Sequence, residues 1–435
     1  MKKYKIVILV CAFTLLGIFT CRVSKTCNVY EENENNQMKK QVNTISMMLE
    51  TEAGSGKYEM TTRDSWPTEG YVFNSTLSKC ENGGELSWDD TNKKVLMSGN
   101  ISDKCYVYFD IETKVFLADY VKSLYTGTQG DNNIYYHDSS LENGAGDNSY
   151  RYAGSSETTN NYVCFGSDAD TCPEDNLYRI IGVFDGKVKL IKSTGTTNTL
   201  LGTDGTYTSN SGSYTWTDLD SCPSTTAYKF DNNVVVLSNK NILGAVPGGG
   251  KSGGCNMWKY SNLNSVNLNT NFITNLGIKW AALVDNATWK VSGYSTANVT
   301  AKTMYTAEIT NATKTYGPSD GTSKIGLMYA SDYGFAASPS AWTTLLSSYN
   351  DSSIKSTNWI YNAGMEWTMT PYSSDSYSVF ILSYVSTVSN TGNLGTWSSL
   401  GADAGFGTRP AMYLNASVVY TRGSGTASDP IRIEI

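Results

Sequence analysis

Three kinds of side chain in this sequence are suited to binding or chemistry: aromatic rings, carboxylates and cysteines. In the C-terminal part of the chain, aromatic residues are interleaved with Ser, Asn and Thr. A ring can stack on a sugar or on a protein epitope, while neighbouring amides and hydroxyls orient it. We therefore predict ligand-binding residues among these aromatics, namely Trp359, Trp367, Tyr372, Tyr377 and Trp397. The alternative is that many of these rings pack in the core.

A short acidic run around Cys172 is the candidate for metal binding. Asp168, Asp170 and Glu174 place several carboxylate oxygens in one segment, and calcium prefers such oxygen ligands. The same residue types also initiate turns, because Asp and Asn side chains bond to their own backbone. The sequence thus predicts either a calcium site or a set of polar turns, and it indicates no other cofactor.

The residue types that catalysis requires are mostly missing. The chain contains one histidine, His137, in a polar segment that we predict to be an exposed loop, and it has no Gly-x-Ser-x-Gly nucleophile motif. Paired carboxylates can hydrolyse glycosidic bonds, and Glu366, Asp375 and Asp403 are the candidates. We expect a protein that is not an enzyme, with a secreted glycan or cell-wall hydrolase as the alternative.

Six of the nine cysteines follow one another in three sequential pairs. Metal binding would call for closely spaced cysteines or for histidines, and neither pattern occurs here. Nearest-neighbour pairing predicts three disulfides, although other connectivities of six cysteines stay open. The predicted pairs are Cys80 with Cys105, Cys164 with Cys172, and Cys222 with Cys255. Disulfides of this kind form in oxidising compartments outside the cytoplasm.

The N-terminal segment supports export. A basic head with Lys2, Lys3 and Lys5 precedes an apolar run, and Arg22 and Lys25 follow it. This order is typical of an export signal, because the charged end stays cytoplasmic while the apolar part enters the bilayer. Residues 1–27 are therefore predicted to be a helical signal peptide or membrane anchor. A cleaved signal, an uncleaved anchor, a lipoprotein and a pilin-like start remain as alternatives.

Composition favours an extracellular protein rich in strands. The chain has 30 Tyr, 10 Trp and 39 Gly, and only 17% of its residues are charged. Aromatic residues suit strands, while Gly and Asn suit the turns between them. A net charge of -7 argues against nucleic acid, whose binding proteins carry basic patches.

Patterning divides the chain into five parts. After the signal we predict a stalk helix over residues 28–56, from apolar residues at roughly helical spacing, and a small disulfide-tied β-sandwich-like domain over 57–110. A helix and loop linker follows over 111–160. The large domain over 161–435 begins with a strand and a hairpin around Asp185-Gly186, followed by helices and scattered short strands. This arrangement predicts an α+β fold.

These segments also carry a resemblance. The series NNYVCFGSD, DNLYRIIGVFDGKVKLIK, KIGLMYASDYGFA, WTMTPYS and GFGTRPAMYLNASV resembles an uncharacterised domain repeated among surface proteins of gut-dwelling Firmicutes and Mollicutes-like bacteria. The element order, which closes on a Gly-Phe-Gly-x-Arg-Pro strand, is also similar to the C-type-lectin-like fold shared with formylglycine-generating enzymes. The resemblance implies a rigid sheet with variable binding loops. It does not imply formylglycine chemistry, because the last cysteine is Cys255.

Together these observations predict an exported binding protein, similar to an adhesin, on the extracellular face of the membrane or secreted. Its expected partner is a host or environmental glycan or a surface protein, and its expected contact with the membrane is through the N-terminus. Nucleic acid is not an expected partner. A structural surface or pilus-like subunit is the remaining alternative.

Overall fold

The structure is a computed structural model in which strands and short helices are interspersed along the chain. It has the α+β fold that the sequence predicts. The residues it describes are 18–20, 27–32, 38–99, 103–209, 212–215, 226–230, 233–237, 258, 261–294, 296–310, 321–362, 364–371, 379–382, 385–386, 389–390, 394–396 and 405–434.

The chain divides into two compact units, Met1–Lys114 and Val115–Ile435. The described strands of the N-terminal unit form two sheets. One has the order β1-β8-β7, and the other has the order β2-β3-β9-β5 with β4 and β6 added at its sides. The strands are β1 Ile18–Thr20, β2 Cys27–Glu32, β3 Met38–Glu50, β4 Tyr58–Met60, β5 Tyr71–Phe73, β6 Lys79–Cys80, β7 Glu85–Asp89, β8 Lys94–Ser98 and β9 Lys104–Ile111.

The predicted stalk helix is wrong, because this segment forms strands β2 and β3. β3 pairs in parallel with β9 and antiparallel with β2. Ile45, Met47 and Leu49 alternate along β3 and pack in the core of the N-terminal unit, which is the period of a strand. The adjacent apolar pair Met48-Leu49 gave the segment an apparent helical spacing, and pairing with the distant β9 decides its conformation.

Aromatic packing and a disulfide hold the N-terminal unit together. The Trp88 ring lies 5.4 Å from the Phe109 ring, edge to face, and Val107 is fully buried beside them. The predicted bond between Cys80 and Cys105 is confirmed, and it links directly opposite residues of β6 and β9. This covalent link constrains the unfolded chain and so stabilises a unit with a small core.

The C-terminal unit is centred on a seven-stranded antiparallel sheet of order β11-β12-β14-β15-β28-β22, with β13 also paired to β14. Its first described elements are β10 Val115–Phe116, α1 Leu117–Ser123, β11 Ile134–His137, β12 Ser149–Tyr152, β13 Tyr162–Cys164, β14 Leu177–Phe184, β15 Lys187–Lys192 and α2 Asn198–Leu201. The predicted disulfide Cys164–Cys172 is confirmed at the end of β13.

The middle of this unit consists of further strands and short helices. They are β16 Tyr207–Thr208, β17 Ser213–Tyr214, β18 Thr226–Phe230, β19 Asn233–Leu237, the π-helix Leu263–Phe272, α3 Ile273–Leu276, α4 Ile278–Leu283, β20 Ala287–Trp289, α5 Ala301–Tyr305 and the π-helix Thr306–Thr310. The helices of this part agree with the helices that the sequence predicts after the Asp185-Gly186 hairpin.

The last part of the unit adds β22 and β28 to the central sheet. Its elements are β21 Gly321–Ser323, β22 Ile325–Gly326, α6 Ala330–Ala336, α7 Ser352–Ser356, β23 Glu366–Pro371, β24 Val379–Leu382, β25 Val385–Ser386, β26 Ser389–Asn390, β27 Leu394–Thr396, β28 Ala411–Tyr413, β29 Val419–Arg422 and β30 Arg432–Glu434. β10 pairs antiparallel with β29, so the first and penultimate strands of the unit are neighbours.

The hairpin of β14 and β15 forms as predicted. Asp185 and Gly186 both have positive φ angles, of 47° and 76°, which a two-residue type I′ turn requires. β14 is buried along almost its whole length, so its near-continuous apolar sequence reflects cover on both faces.

The predicted linker over residues 111–160 is wrong in extent, because most of it belongs to the C-terminal unit. Val121 of α1, Ile134 of β11 and Tyr152 of β12 are fully or almost fully buried in its core. His137 lies at the end of β11 and is also fully buried, not in an exposed loop. These strands are short, and their connections are rich in Gly and Asn. The sequence of this segment therefore predicts a loop.

The disulfides and the lengths of the helices bear on the predicted export. Both described disulfides indicate an oxidising environment, and no helix among the described residues is long and apolar enough to cross a membrane. Within the predicted signal segment, Ile18–Thr20 form β1 beside β8 instead of a helix. Residues 1–17 lie outside the described residues, and so do Cys222 and Cys255.

The close approach of β12 and β14 yields the first prediction. A Cβ on Gly182 would lie 2.2 Å from the Tyr150 carbonyl oxygen and 3.2 Å from the Cα of Arg151. Gly182→Ala should therefore lower the free energy of unfolding by about 1–3 kcal/mol. Gly195→Ala is the matched control, since nothing lies within 4 Å of its added Cβ. Thermal melts of the full chain should separate the two variants, and equal melting temperatures would contradict the prediction.

Candidate functional site

A pocket of about 390 Å³ opens beside the β14–β15 hairpin of the C-terminal unit. Residues from β12, β15, β28 and the segments around β20, α5 and α6 line it. They are Asp147, Ser149, Arg151, Phe184, Asp185, Lys187, Lys189, Asp285, Asn286, Ala287, Thr288, Lys290, Tyr305, Ile309, Tyr329, Ser331, Asp332 and Tyr413. We call this cavity the polar pocket. Its size falls in the range of small-molecule sites.

Arg151 lies at the buried base of the polar pocket. β12 directs its side chain inward, and only 2% of it is exposed. Its Nη2 donates to Asp147 at 2.7 Å and its Nε donates to Ser149 Oγ at 2.7 Å. The guanidinium carbon also lies 4.6 Å from the ring centroid of Phe184. Burial opposes the charge, but Asp147 and Asp332 outweigh it and raise the pKa of Arg151.

Lys189 of β15 is the second buried cation of the base. Its Nζ donates to Asp332 Oδ2 at 2.6 Å, and both side chains are at most 3% exposed. The ammonium also lies 4.4 Å from the ring centroid of Tyr329, a cation–π contact that strengthens when water is excluded. Burial lowers the pKa of Lys189, and Asp332 opposes this shift.

Two carboxylates hold these cations in place. Asp332, in the first turn of α6, also accepts from the backbone N–H of Tyr329. Asp147 accepts from Tyr305 Oη at 2.8 Å as well as from Arg151. Burial opposes ionisation of Asp147, but Arg151 and these hydrogen bonds hold its pKa below the usual range. The base of the pocket is therefore a preorganised ionic network.

The π-helix Thr306–Thr310 shapes the adjoining wall. Ile309 faces the polar pocket, while Glu308 is fully buried behind it. Glu308 accepts hydrogen bonds from Thr370 Oγ1 and from the backbone N–H of Ser331. Burial raises the pKa of Glu308 to about 8, although these hydrogen bonds oppose the shift. π-helical turns often occur at functional sites.

The charges that line the polar pocket balance. Four cationic side chains are matched by four carboxylates, and the rim pair Lys187–Asp285 is joined at 2.6 Å. Phe184, Tyr305 and Tyr413 are only partly buried, so they present aromatic surface beside these groups. An electroneutral lining with aromatic walls and spare hydrogen-bonding groups suits a polar ligand that carries no net charge.

The aromatic residues predicted from the sequence do not form this site. Trp367 is 1% exposed and its Nε1 donates to the Tyr214 carbonyl, while Trp359 is 3% exposed and donates to the Tyr152 carbonyl. Both rings pack in the core, which corrects their assignment as surface ligands: each indole is satisfied by backbone instead. Tyr372, Tyr377 and Trp397 lie outside the described residues.

The acidic residues around Cys172 are not arranged as a calcium site. Asp168 is paired with Lys279, whose Nζ lies 2.5 Å from Oδ1, and the carbonyl of Asp170 accepts from Arg432. Among the described residues, the only Cys, His, Asp or Glu cluster with metal-ligand spacing is Cys80, Asp103 and Cys105. The structure therefore does not bring Asp168, Asp170 and Glu174 together as a set of ligands.

Two of the candidate residues for catalysis, Glu366 and His137, are engaged inside the protein. Glu366 is buried and accepts from Arg409 Nε at 2.7 Å, so it closes an internal ion pair. His137 accepts from the Ala145 backbone N–H through Nδ1, and burial lowers its pKa well below the ordinary value. Asp375 and Asp403 lie outside the described residues.

Sequence reasoning missed Arg151, Lys189, Asp332 and Tyr305. Lys187 and Lys189 alternate with Val188 and Leu190 inside a predicted strand, a pattern that predicts lysines facing solvent. The structure instead buries Lys189, because both faces of β15 are covered. The partner Asp332 is distant in sequence, and only the fold identifies it.

No protein-family model matches this chain, and no characterised protein or solved structure proved similar to it. The resemblance to surface-protein domains of gut bacteria therefore stays a prediction.

The carboxyl of Glu308 gives a prediction for pH. Its pKa lies near 8 in the folded protein and near 4.5 as the ordinary value, so only the folded state holds the proton between these values. Its contribution should make the folded state less stable as pH rises through this window, by about 1.4 kcal/mol per pH unit at most. Asp332, Lys189 and Tyr329 are the titratable groups that interact with it.

Glu308→Gln cannot lose a proton, so its melting temperature relative to the native protein should rise between about pH 5 and about pH 9. Melts across this range test the sign. Glu81→Gln is the control, because Glu81 is an exposed glutamate of the other unit. A constant difference between Glu308→Gln and the native protein would show that Glu308 does not titrate in this window.

Proposed function

We propose that this chain is an exported, non-catalytic binding protein whose C-terminal unit holds a small polar ligand without net charge in the polar pocket. We further propose display at the cell surface or secretion, with a glycan or a surface protein of a host or of the environment as the partner. The observation that carries the proposal is the electroneutral, aromatic-walled lining of the pocket.

Charge balance decides between ligand classes. Each charge at the base already has a partner within 4.0 Å, as in Lys189–Asp332 and Arg151–Asp147. A strongly anionic or cationic ligand would leave the pocket with an uncompensated buried charge, which is costly. A neutral polar molecule keeps the balance and still gains hydrogen bonds.

Non-catalytic binding is supported by the state of the acid–base groups. The buried carboxylates Asp147 and Asp332 are both engaged by cations, and Glu366 is held by Arg409. A general acid or base must reach the proton it transfers, and these groups are committed to the protein itself. The pocket is thus suited to recognition more than to bond cleavage.

We also propose a C-type-lectin-like architecture for the C-terminal unit. Its support is the pairing of β10 with β29 at the ends of the unit and the antiparallel sheet between them. In this arrangement the sheet provides a rigid frame, and the connections between strands form the binding surface.

Tyr305 provides the test. Its ring is half-buried at the pocket wall and its hydroxyl donates to Asp147, so Tyr305→Ala removes an apolar face and a hydrogen bond together. We expect affinity for a neutral polar ligand to fall on the order of tenfold, about 1.4 kcal/mol. Ligand-observed NMR on the full chain, with a panel of neutral, zwitterionic, anionic and cationic small molecules, measures this.

Tyr420→Ala is the matched control, because Tyr420 is also a half-buried tyrosine but stacks on Tyr120 away from the pocket. It should leave ligand binding unchanged. Binding only of ions, or binding that survives Tyr305→Ala undiminished, would overturn the proposal.

A further inference from the structure

Arg151 and Asp332 leave a specific gap at the base of the polar pocket. Arg151 Nη1 lies 3.6 Å from Asp332 Oδ1, which is too far for a hydrogen bond. The other groups of these two side chains are engaged: Arg151 uses Nε and Nη2, and Asp332 uses Oδ2. Within the described structure, Nη1 and Oδ1 make no hydrogen bond of their own.

We infer that the ligand is a sugar, one of whose hydroxyl groups accepts from Arg151 Nη1 and donates to Asp332 Oδ1. This inference rests on the proposed function and names the ligand class of the same pocket. The two atoms are close enough for one oxygen placed beside them to reach both at ordinary hydrogen-bond lengths, about 2.7–3.0 Å.

The hydrogen-bonding inventory selects a hydroxyl. An ammonium group only donates and a carboxylate only accepts, so neither satisfies both partners with one atom, whereas a hydroxyl does both and adds no charge. The cation and the carboxylate make both bonds charge-assisted, and such bonds are stronger than neutral ones. The electroneutral lining is preserved.

The walls favour a ring that bears several hydroxyls over a simple alcohol. Phe184 and Tyr305 are partly buried on the pocket side, and each contacts the Arg151 guanidinium. Their remaining apolar surface suits the C–H face of a sugar ring. At the rim, Thr288 and Asn286 are exposed and offer hydroxyl and amide groups to further ligand oxygens.

The first test varies the ligand and leaves the protein unchanged. The full chain is titrated with glucose, galactose, mannose and N-acetylglucosamine, with their monodeoxy analogues, and with serine and asparagine as zwitterionic and amide controls. The same sugars at the ends of immobilised glycans distinguish a free sugar from a surface glycan. We expect one deoxy analogue to bind at least about tenfold more weakly than its parent, because it leaves Nη1 and Oδ1 unpaired.

The second test varies the protein. Arg151→Lys keeps the charge but loses Nη1, and it should weaken binding of the parent sugar about as much as the deoxy substitution does. Arg179→Lys is the matched control: Arg179 is likewise buried, lies over Tyr162 and Trp359 rings, and is absent from the pocket lining. Both variants should melt at lower temperature, and only Arg151→Lys should lose affinity.

The outcomes separate this inference from the proposed function. If serine or asparagine binds and none of the sugars does, the pocket is a binding site but the sugar inference is wrong. If all deoxy analogues bind like their parents, or if Arg151→Lys and Arg179→Lys bind equally, the bridging hydroxyl is wrong. If no neutral polar molecule binds at all, the proposed function itself fails.

Discussion

The C-terminal unit depends on the burial of two cations beside each other. Arg151 on β12 and Lys189 on β15 both lose their contact with water, and an unpaired buried charge costs several kcal/mol. Asp332 pairs with both cations: its Oδ1 lies 3.6 Å from Arg151 Nη1, and its Oδ2 lies 2.6 Å from Lys189 Nζ. The start of α6 must therefore be held against the sheet, and this one constraint fixes a helix, two strands and the base of the polar pocket together.

Aromatic rings, as well as carboxylates, contact the two buried cations. Arg151 lies within 5.0 Å of the ring centroids of Phe184, Tyr305 and Phe335, and Lys189 lies over Tyr329. These contacts pack aromatic surface against the ionic network, whose side chains also line the polar pocket. Tyrosine suits these positions, because its ring can pack against a buried charge while its hydroxyl makes a hydrogen bond.

Local signals predicted much of the strand structure. The Asp185-Gly186 turn and the disulfide Cys164–Cys172 follow from residues no more than 8 positions apart. The pairing of Cys80 with Cys105 follows from the order of the cysteines along the chain. The prediction of a stalk helix was wrong because β3 pairs with β9, which lies more than fifty residues further along the chain. The spacing of residues within one segment does not predict a pairing partner at that distance. The strands β11 and β12 were missed because four residues between Gly- and Asn-rich turns are too few to show a period.

The candidate site was the least predictable part for the same reason. Trp359 and Trp367 suggested a binding surface by type, yet each indole N–H finds a buried carbonyl and each ring fills core volume. The residues that do line the pocket are spread from Asp147 to Tyr413, and their order in the sequence does not reveal that they meet. The alternation of Lys189 with apolar neighbours predicts an exposed side chain, so its burial in the polar centre was not readable from the sequence either.

The pairing of β10 with β29 brings the entry and the exit of the C-terminal unit to one place, on adjacent strands. Compact units with neighbouring ends are the ones that tolerate insertion into a host chain and circular permutation. In the sequence, all the strands of the central sheet, from β11 to β28, thus lie between the two paired strands β10 and β29. Such a segment can be duplicated, or inserted into another protein, without a change to the polar pocket that it contains.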